Sequence, residues 1–271
     1  MAITSFIPEV WAARLLANYN RNIVVAALTN RNYEGEIRQY GDTVHINSLN
    51  ELTVKDYTPN VKIEEPEQLT TVDQTLVIDH GKYYNFYVDD VDAVQARGDL
   101  MDAAMADAAR LIAEDTEDYI LEKLITDGNI TDGLTGALTA ANVYEFIVKM
   151  KVAMDEKNVP RAGRHLIVPP SVEGLMLMDN RFVTGNGAPS ENRLVNGYVA
   201  RAAGFDIYSS NAADDKMVAF NTESITFANQ LTETEAYRPE ARFADAVKGL
   251  SLCGAKVTRP DAVAVFSITG G

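Results

Sequence analysis

A long helix, Arg97 to Gly128, follows directly on an extended and largely polar stretch from Gly35 to Val91. No other feature constrains the chain as much. A stiff helix beside a projecting β-arm suits the holding of neighbours and not the enclosing of a substrate. Asp99 is placed to cap the helix, and Asp102 lies in its first turn, where the helix dipole favours negative charge. Met101, Ala104, Met105, Ala108, Ile112 and Tyr119 recur at helical spacing as one apolar stripe. Asp127-Gly128 ends it, giving a rod of roughly 40 Å at about 1.5 Å per residue. Ile120, Leu121, Leu124 and Ile125 spread apolar surface around the axis, which predicts burial of that end.

The chain has 271 residues, 46% of them hydrophobic, enough for a core divided into two modest subdomains. No apolar run is long enough to cross a membrane, and Ile23 to Leu28 is too short and too deep for a signal peptide. The single cysteine, Cys253, excludes an internal disulfide scaffold and fits a reducing compartment. It sits in an apolar β pattern and reads as a small buried residue, not a reactive thiol. The net charge of −15 is dispersed, with no acidic tail. It argues against wrapping DNA or RNA, which needs a basic face.

Pro8 opens a short helix, Glu9 to about Arg21, with Val10, Trp11, Leu15 and Leu16 apolar. Asn18, Asn20, Asn22, Asn30 and Asn32 break any longer one. Trp11 is either a core anchor or part of an arm docked on a neighbouring subunit. The β region contains Thr43 to Ile46, Thr53 to Thr58, Thr71 to Asp79 and Tyr83 to Val88, the last two separated by His80-Gly81-Lys82. Little of it carries a dense apolar face, so part of it is expected to project as a two-stranded arm.

After the long helix, Asn142 and Glu145 resemble a capping box opening a helix with Val143, Phe146, Ile147, Met150 and Met154 apolar. Leu166-Ile167-Val168 is a buried strand broken by Pro169-Pro170, and Ser171 is placed to cap the next helix, which carries Leu175, Met176 and Met178. Thr184 to Asn192 reads as a loop, and Leu194 to Ala203 as a helix closed by Gly204. Phe205 to Tyr208 is a strand. This alternation defines an α/β subdomain over about 129–230. The tail holds a long strand, Ala246 to Val257, a turn at Arg259-Pro260-Asp261 and a final apolar strand, Ala262 to Ile268. A chain ending in a buried strand is expected to return to an early element, so the tail is grouped with the β-arm and the long helix.

Chemistry-bearing patterns are sparse. His45, His80 and His165 are isolated and lack ligand spacing, so no metal site is expected. There is no nucleophile elbow, no P-loop and no dinucleotide fingerprint, so neither catalytic residues nor a cofactor are expected. Gly185-Asn186-Gly187 reads as a plain loop. Carboxylates gather at Asp89-Asp90-Val91-Asp92, without calcium-loop spacing, and at Glu114-Asp115 with Glu117-Asp118, read as a solvated helix face. Asn129-Ile130-Thr131 fits a glycosylation sequon but lacks a secretion signal.

The order of these pieces resembles the tailed-phage major capsid proteins of the HK97-like fold, nearest the group of the P22-type coat proteins. The resemblance runs through the arm Ile7-Pro8-Glu9-Val10-Trp11, then Gly41-Asp42-Thr43-Val44-His45-Ile46 to Asp79-His80-Gly81-Lys82-Tyr83-Tyr84-Asn85-Phe86 as the extended loop. It continues in Val88 to Asp92, in Leu166 to Pro170, in Asn196 to Asn211, and in Gly254-Ala255-Lys256-Val257-Thr258-Arg259-Pro260-Asp261-Ala262-Val263. It implies an α+β capsid subunit with an N-terminal arm (1–34), an extended β-loop with flanking strands (35–90), a peripheral spine helix (91–128), an axial domain (129–230) and a return to the peripheral domain (231–271).

The resemblance further implies hexamers and pentamers tiling an icosahedral shell around double-stranded DNA that is not tightly bound. It implies no enzyme activity and no membrane association. The expected location is the virion shell, and the host cytoplasm during assembly. A separate scaffolding protein and a portal are expected partners, with a decoration or minor capsid protein as a further one; no large inserted β domain is present, unlike the P22 coat protein. The expected intersubunit contacts are Trp11 and Leu15 in the arm, Val54, Lys55, Asp56 and Tyr57 in the loop, and Asn186 and Arg193 in the axial loop. Some relatives crosslink lysine to asparagine; Lys55 and Lys82 lie in the loop region, with nothing marking them as reactive. Lys149, Lys151, Arg161 and Arg164, the one local concentration of positive charge, are expected to meet acidic groups of a neighbouring axial domain. Two alternatives stand beside this reading: an encapsulin-type cellular shell of the same fold, and an α/β enzyme built on 129–230.

Overall fold

The computed structural model describes residues 24–33, 41, 43–49, 56, 59, 62, 71–89, 100–179, 181–182, 198–241 and 244–269. In chain order the strands are β1 (Thr43–Leu49), β2 (Thr71–Val77), β3 (His80–Asp89), β4 (Thr135–Gly136), β5 (Arg164–Val168), β6 (Tyr198–Ala202), β7 (Phe205–Ser209), β8 (Lys216–Asn221), β9 (Ile225–Tyr237), β10 (Ala244–Val257) and β11 (Val263–Ile268). The helices are α1 (Leu100–Asp127), α2 (Val143–Glu156) and α3 (Pro170–Met178).

The long helix is present, and 28 residues make α1 about 42 Å long. Its buried face is Met105, Ala109, Ile112, Ala113, Thr116, Glu117, Tyr119, Ile120, Leu121 and Leu124. The stripe is therefore rotated from the expected one: Ala109 and Ala113 are buried, while Ala104 and Ala108 are half-buried. Met105, Ala109, Ile112 and Ala113 pack on Val247, Tyr84 and Phe86 of a three-stranded sheet. Toward the other end, Tyr119, Ile120, Leu121 and Leu124 enter a second cluster with Val218, Phe220, Phe227 and Val265. One rod thus spans both halves of the subunit. Gly128 closes it by donating its N–H to the Leu124 carbonyl at 3.1 Å. A Cβ there would lie 2.8 Å from that carbonyl and 3.0 Å from Val263 and Val265, so only glycine lets the chain pass.

The arm base is a two-stranded antiparallel ladder running from Thr43 opposite Val77 to Leu49 opposite Thr71. It is not bare of core. Val44, Ile46, Leu76 and Ile78 pack on Ala228 and Leu252. The approach is close at Gly254, where a Cβ would meet the Val77 carbonyl oxygen at 2.5 Å. His80-Gly81-Lys82 is not a break, because these residues pair with Cys253, Leu252 and Ser251 and extend β3.

The three-stranded sheet has the order β3-β10-β9 and is antiparallel. The six-stranded sheet has the order β4-β11-β8-β5-β7-β6, with β5/β7 and β4/β11 parallel and its other pairs antiparallel. α2 buries Val143, Ile147, Met150 and Met154 against it. The tail divides between the two: β10 pairs with the early strand β3, whereas β11 lies between β4 and β8. The expectation that the whole tail returns to early elements therefore holds for β10 alone.

Three local expectations are corrected. Tyr198–Ala202 is a strand, not a helix, and pairs with β7. The turn between them places Ala203 at φ 51° and Gly204 at φ 90°. Two successive left-handed residues match the twist of a tight hairpin, so Gly204 serves a turn and not a helix end. Asn142 makes no side-chain capping bond. Its Oδ1 accepts from the Thr139 N–H at 2.7 Å and its Nδ2 donates to the Ala137 carbonyl, which closes the preceding loop. Ser171 is not the cap of α3, which starts one residue earlier with Pro170 in its first turn, a position suited to a fixed φ.

The expected helix 9–21, the extended piece 53–58 apart from Asp56, the loop 184–192 and the Asp99 cap lie outside the described residues.

Candidate functional site

Three surface or junction features stand out, the first two on α1 and the third on the three-stranded sheet and on α2 and α3. The first is a carboxylate. The run Glu114 to Asp118 was expected to be solvated, yet Glu117 is 7% exposed. Helical periodicity puts it there: four residues after Ala113 and four before Leu121, it stands on the buried stripe. Its Oε1 accepts from the backbone N–H of Val25 at 2.9 Å and also from that of Val24. Its Oε2 accepts from Ser210 Oγ at 3.0 Å. Burial pushes the Glu117 carboxyl above its ordinary range; its three donors oppose that shift and Asp118 adds to it. Without Glu117 the two N–H groups would lose their acceptor, at a cost of about 1–3 kcal/mol each where water is excluded.

The second feature is a polar network beside it. His80 Nε2 meets Asp115 Oδ2 at 2.6 Å, and Lys82 Nζ meets Asp115 Oδ1 at 2.8 Å. Partial burial alone would raise the Asp115 carboxyl, but Lys82 and His80 together hold it below its usual range. Tyr119 donates to Asp79 Oδ1 at 2.7 Å, with His80 stacked on its ring at 4.3 Å and Lys123 5.4 Å from the ring centre. Burial, and then the Asp79 carboxylate, push the Tyr119 phenol up. These groups line an open cleft of about 530 Å³. Asp115 takes both His80 and Lys82 as partners, and Asp118, Glu122 and Asp127 add further carboxylates to the lining, so the cleft is acidic overall. Burial pushes the nearby Cys253 thiol up to about 12, which makes it inert. Among the described residues no group of His, Cys, Asp and Glu is arranged to hold a metal.

The third feature is exposed apolar surface. Tyr83, 80% exposed, stands opposite Leu250 across β3 and β10, and the exposed Tyr87 stands opposite Ala246 on the same face. Between these pairs Lys248 bridges to Glu235 at 2.8 Å. On α2 and α3, Val152, Leu177 and Met178 are exposed, Met178 at 74%. Apolar side chains gathered on one face, as Tyr83, Tyr87 and Leu250 are, gain by burial against another surface, whereas singly exposed ones are ordinary.

The other expected residues fall as follows. Trp11, Leu15, Val54, Lys55, Tyr57, Asn186 and Arg193 lie outside the described residues, and Asp56 is exposed. Lys82 is committed to Asp115. Three residues of the basic concentration, Lys149, Arg161 and Arg164, meet carboxylates of their own chain. Lys149 bridges to Glu145 at 2.9 Å, and Arg164 and Arg161 reach Asp155 at 2.8 and 3.6 Å. Arg164 is itself buried and also donates to the Pro160 and Val159 carbonyls. The histidines are separate: His45 pairs with Asp73 on the arm, His80 lies in the network, and His165 Nε2 meets Thr222 Oγ1 at 3.0 Å.

A spine helix spanning two subdomains, a β-arm at one edge and a mixed axial sheet define an HK97-like capsid subunit. The family described as phage capsid protein matches residues 72–266, and the chain belongs to that family. A structure from Mycobacterium phage Che8 is 29% identical, with a TM-score of 0.74 over 92% of this chain and 92% of that one. The capsid structure of the cyanophage P-SCSP1u is 14% identical, with a TM-score of 0.72 over 93% of this chain and 90% of that one. A virus-like particle from Pyrococcus furiosus is 15% identical, with a TM-score of 0.62 over 96% and 98%; at this identity the last two show the fold alone. No curated protein matches. The chain is a structural major capsid protein of the tailed-phage kind, a component of a multi-subunit virion shell, and the cellular-compartment reading is not favoured.

Proposed function

We propose that this subunit forms hexamers and pentamers that tile an icosahedral head around double-stranded DNA, and that it does so without enzymatic activity. The observation that carries this reading is the exposed apolar face at Tyr83, Tyr87 and Leu250, beside an arm base whose ladder ends at Leu49 and Thr71. Such surface gains by burial against another copy.

In this reading the chain divides into the arm (1–34), extended loop (35–90), spine helix (91–128), axial domain (129–230) and peripheral return (231–271), with β11 contributed to the axial sheet. Trp11 and Leu15, then Val54 to Tyr57, then Asn186 and Arg193 contact neighbouring copies. A scaffolding protein directs assembly in the host cytoplasm, a portal occupies one vertex, and a decoration or minor capsid protein is a further partner. The P22-type coat proteins are the proposed nearest group, on the quoted stretches of sequence.

Negative-stain microscopy of the purified protein, alone and with its co-expressed scaffold, tests the reading. Closed shells or capsomers are expected. A stable monomer under every salt and scaffold condition overturns it.

A further inference from the structure

Glu117 joins parts of the chain that are otherwise far apart. The start of the described chain, Val24 and Val25, sits on its Oε1, and Ser210, at the end of the axial strand β7, sits on its Oε2. Ser210 is itself held by the Val168 carbonyl, which its N–H reaches at 3.0 Å. A few residues further on, the same N-terminal segment is fixed a second time. Asn30 donates its N–H to the Ile225 carbonyl at 3.1 Å and accepts from Phe227 at 2.9 Å, which adds it in parallel to the edge of β9. The second clamp uses backbone only and tolerates most side chains. The first depends on one side chain, and that side chain is a buried carboxylate on a largely apolar helix face.

A carboxylate is costly to bury, so its place there calls for a reason beyond filling space. Alanine or leucine would fill the stripe, but neither accepts a hydrogen bond. Two successive backbone N–H groups converging on one oxygen fix both the position and the heading of the chain at Val24.

We propose that Glu117 is a positioning residue for shell assembly: by holding Val24 and Val25 on the spine helix, it sets where and in which direction residues 1–23 leave the subunit, and so where they meet a second copy of this chain. This rests on the reading of the N-terminal segment as an intersubunit arm. The same carboxylate couples the root of the arm, on Oε1, to the axial sheet through Ser210, on Oε2. A shift of the spine helix against that sheet therefore carries the root of the arm with it.

The test compares the full-length wild type with E117A, E117Q, Glu117→Asp and a deletion of residues 1–21. Hydrogen exchange reads the amides of Val24 and Val25 against those of β5 and β8, and electron microscopy reads shell yield. E117A is expected to speed exchange at Val24 and Val25 at least tenfold, to leave β5 and β8 protected, and to cut shell yield at least tenfold. E117Q keeps an acceptor for both N–H groups and a donor for Ser210, and is expected to restore both readouts. Glu117→Asp keeps the charge and withdraws the oxygens by one C–C bond, about 1.5 Å. It is expected to reproduce the E117A defect in a folded subunit, and decides the matter should E117A fail to fold. Normal shells from both E117A and Glu117→Asp, with the deletion defective, overturn the role of Glu117. Normal shells from the deletion overturn the arm reading itself.

Discussion

At the scale of single residues, Glu117 and Gly254 carry opposite kinds of constraint. The Glu117 carboxyl is held above its ordinary value of 4.5, chiefly by burial. A carboxyl raised on folding binds its proton more tightly in the native state. Its contribution is therefore fully present below the unfolded value and is lost as pH rises through the folded one. E117Q mimics the protonated form and has no such loss. Melting curves of the two proteins are expected to coincide near pH 4.5 and to separate above it, with E117Q the more stable at neutral pH; a constant gap across that range would show that the charge is not what burial penalises. Asp115 acts in the other direction and in a lower window. Its lowered carboxyl contributes stability above its ordinary value of 3.8, lost as pH falls further. Gly254 is constrained by space. Gly254→Ala would press a methyl on the Val77 carbonyl oxygen, which is backbone and gives little. A loss of about 1–3 kcal/mol in urea unfolding is expected, as for other overpacked sites.

At the scale of elements, the arm base and its tip are separable. Leu49 and Thr71 are register partners at the end of the β1–β2 ladder. Replacing residues 50–70 by an Asn-Gly turn therefore keeps Val44, Ile46, Leu76 and Ile78 in place on Ala228 and Leu252. Circular dichroism and melting temperature are expected to match wild type while shell formation is lost; normal shells would remove the loop from the assembly contacts. The elements also show which signals a sequence exposes. α1 was legible because 28 residues run without proline or glycine, apolar residues recur at helical spacing in its first half, and a glycine ends it. β10 was legible because its apolar pattern is long. β6 was misread because Val199, Ala200, Ala202 and Ala203 fit a helical face as well as a strand, and only pairing with β7 decides between them. Glu117 was hidden for a different reason. A carboxylate among carboxylates looks solvated, and its position on the stripe gains meaning only when Val24 and Ser210, distant in sequence, arrive beside it. The ion pairs of Arg161 and Arg164 with Asp155 are local, but which partner a surface cation takes is a matter of folded geometry.

At the scale of the whole molecule, charge governs what the subunit can bind. The chain carries a formal charge of −15. Its one concentration of basic residues is already engaged, Lys149 by Glu145 and both Arg161 and Arg164 by Asp155. Lys151 acts on the same Asp155 carboxylate, which these cations hold below its ordinary range, Arg164 first. Non-specific affinity for duplex DNA comes almost entirely from phosphate contacts, each of which needs an available cation. Binding therefore has little to draw on, and an acidic surface repels the duplex over about one Debye length, roughly 8 Å at physiological salt. In a mobility-shift assay the purified subunit is expected to leave duplex DNA unshifted at physiological salt and to retard it only weakly at low salt. Arg164 is buried and unsuited to substitution, so the informative variant changes Lys149, Lys151 and Arg161 to alanine. It is expected to behave as wild type in the assay. Tight wild-type binding with a steep salt slope, lost in that variant, would show that the intrachain pairs open to phosphate and that the shell holds its genome through them.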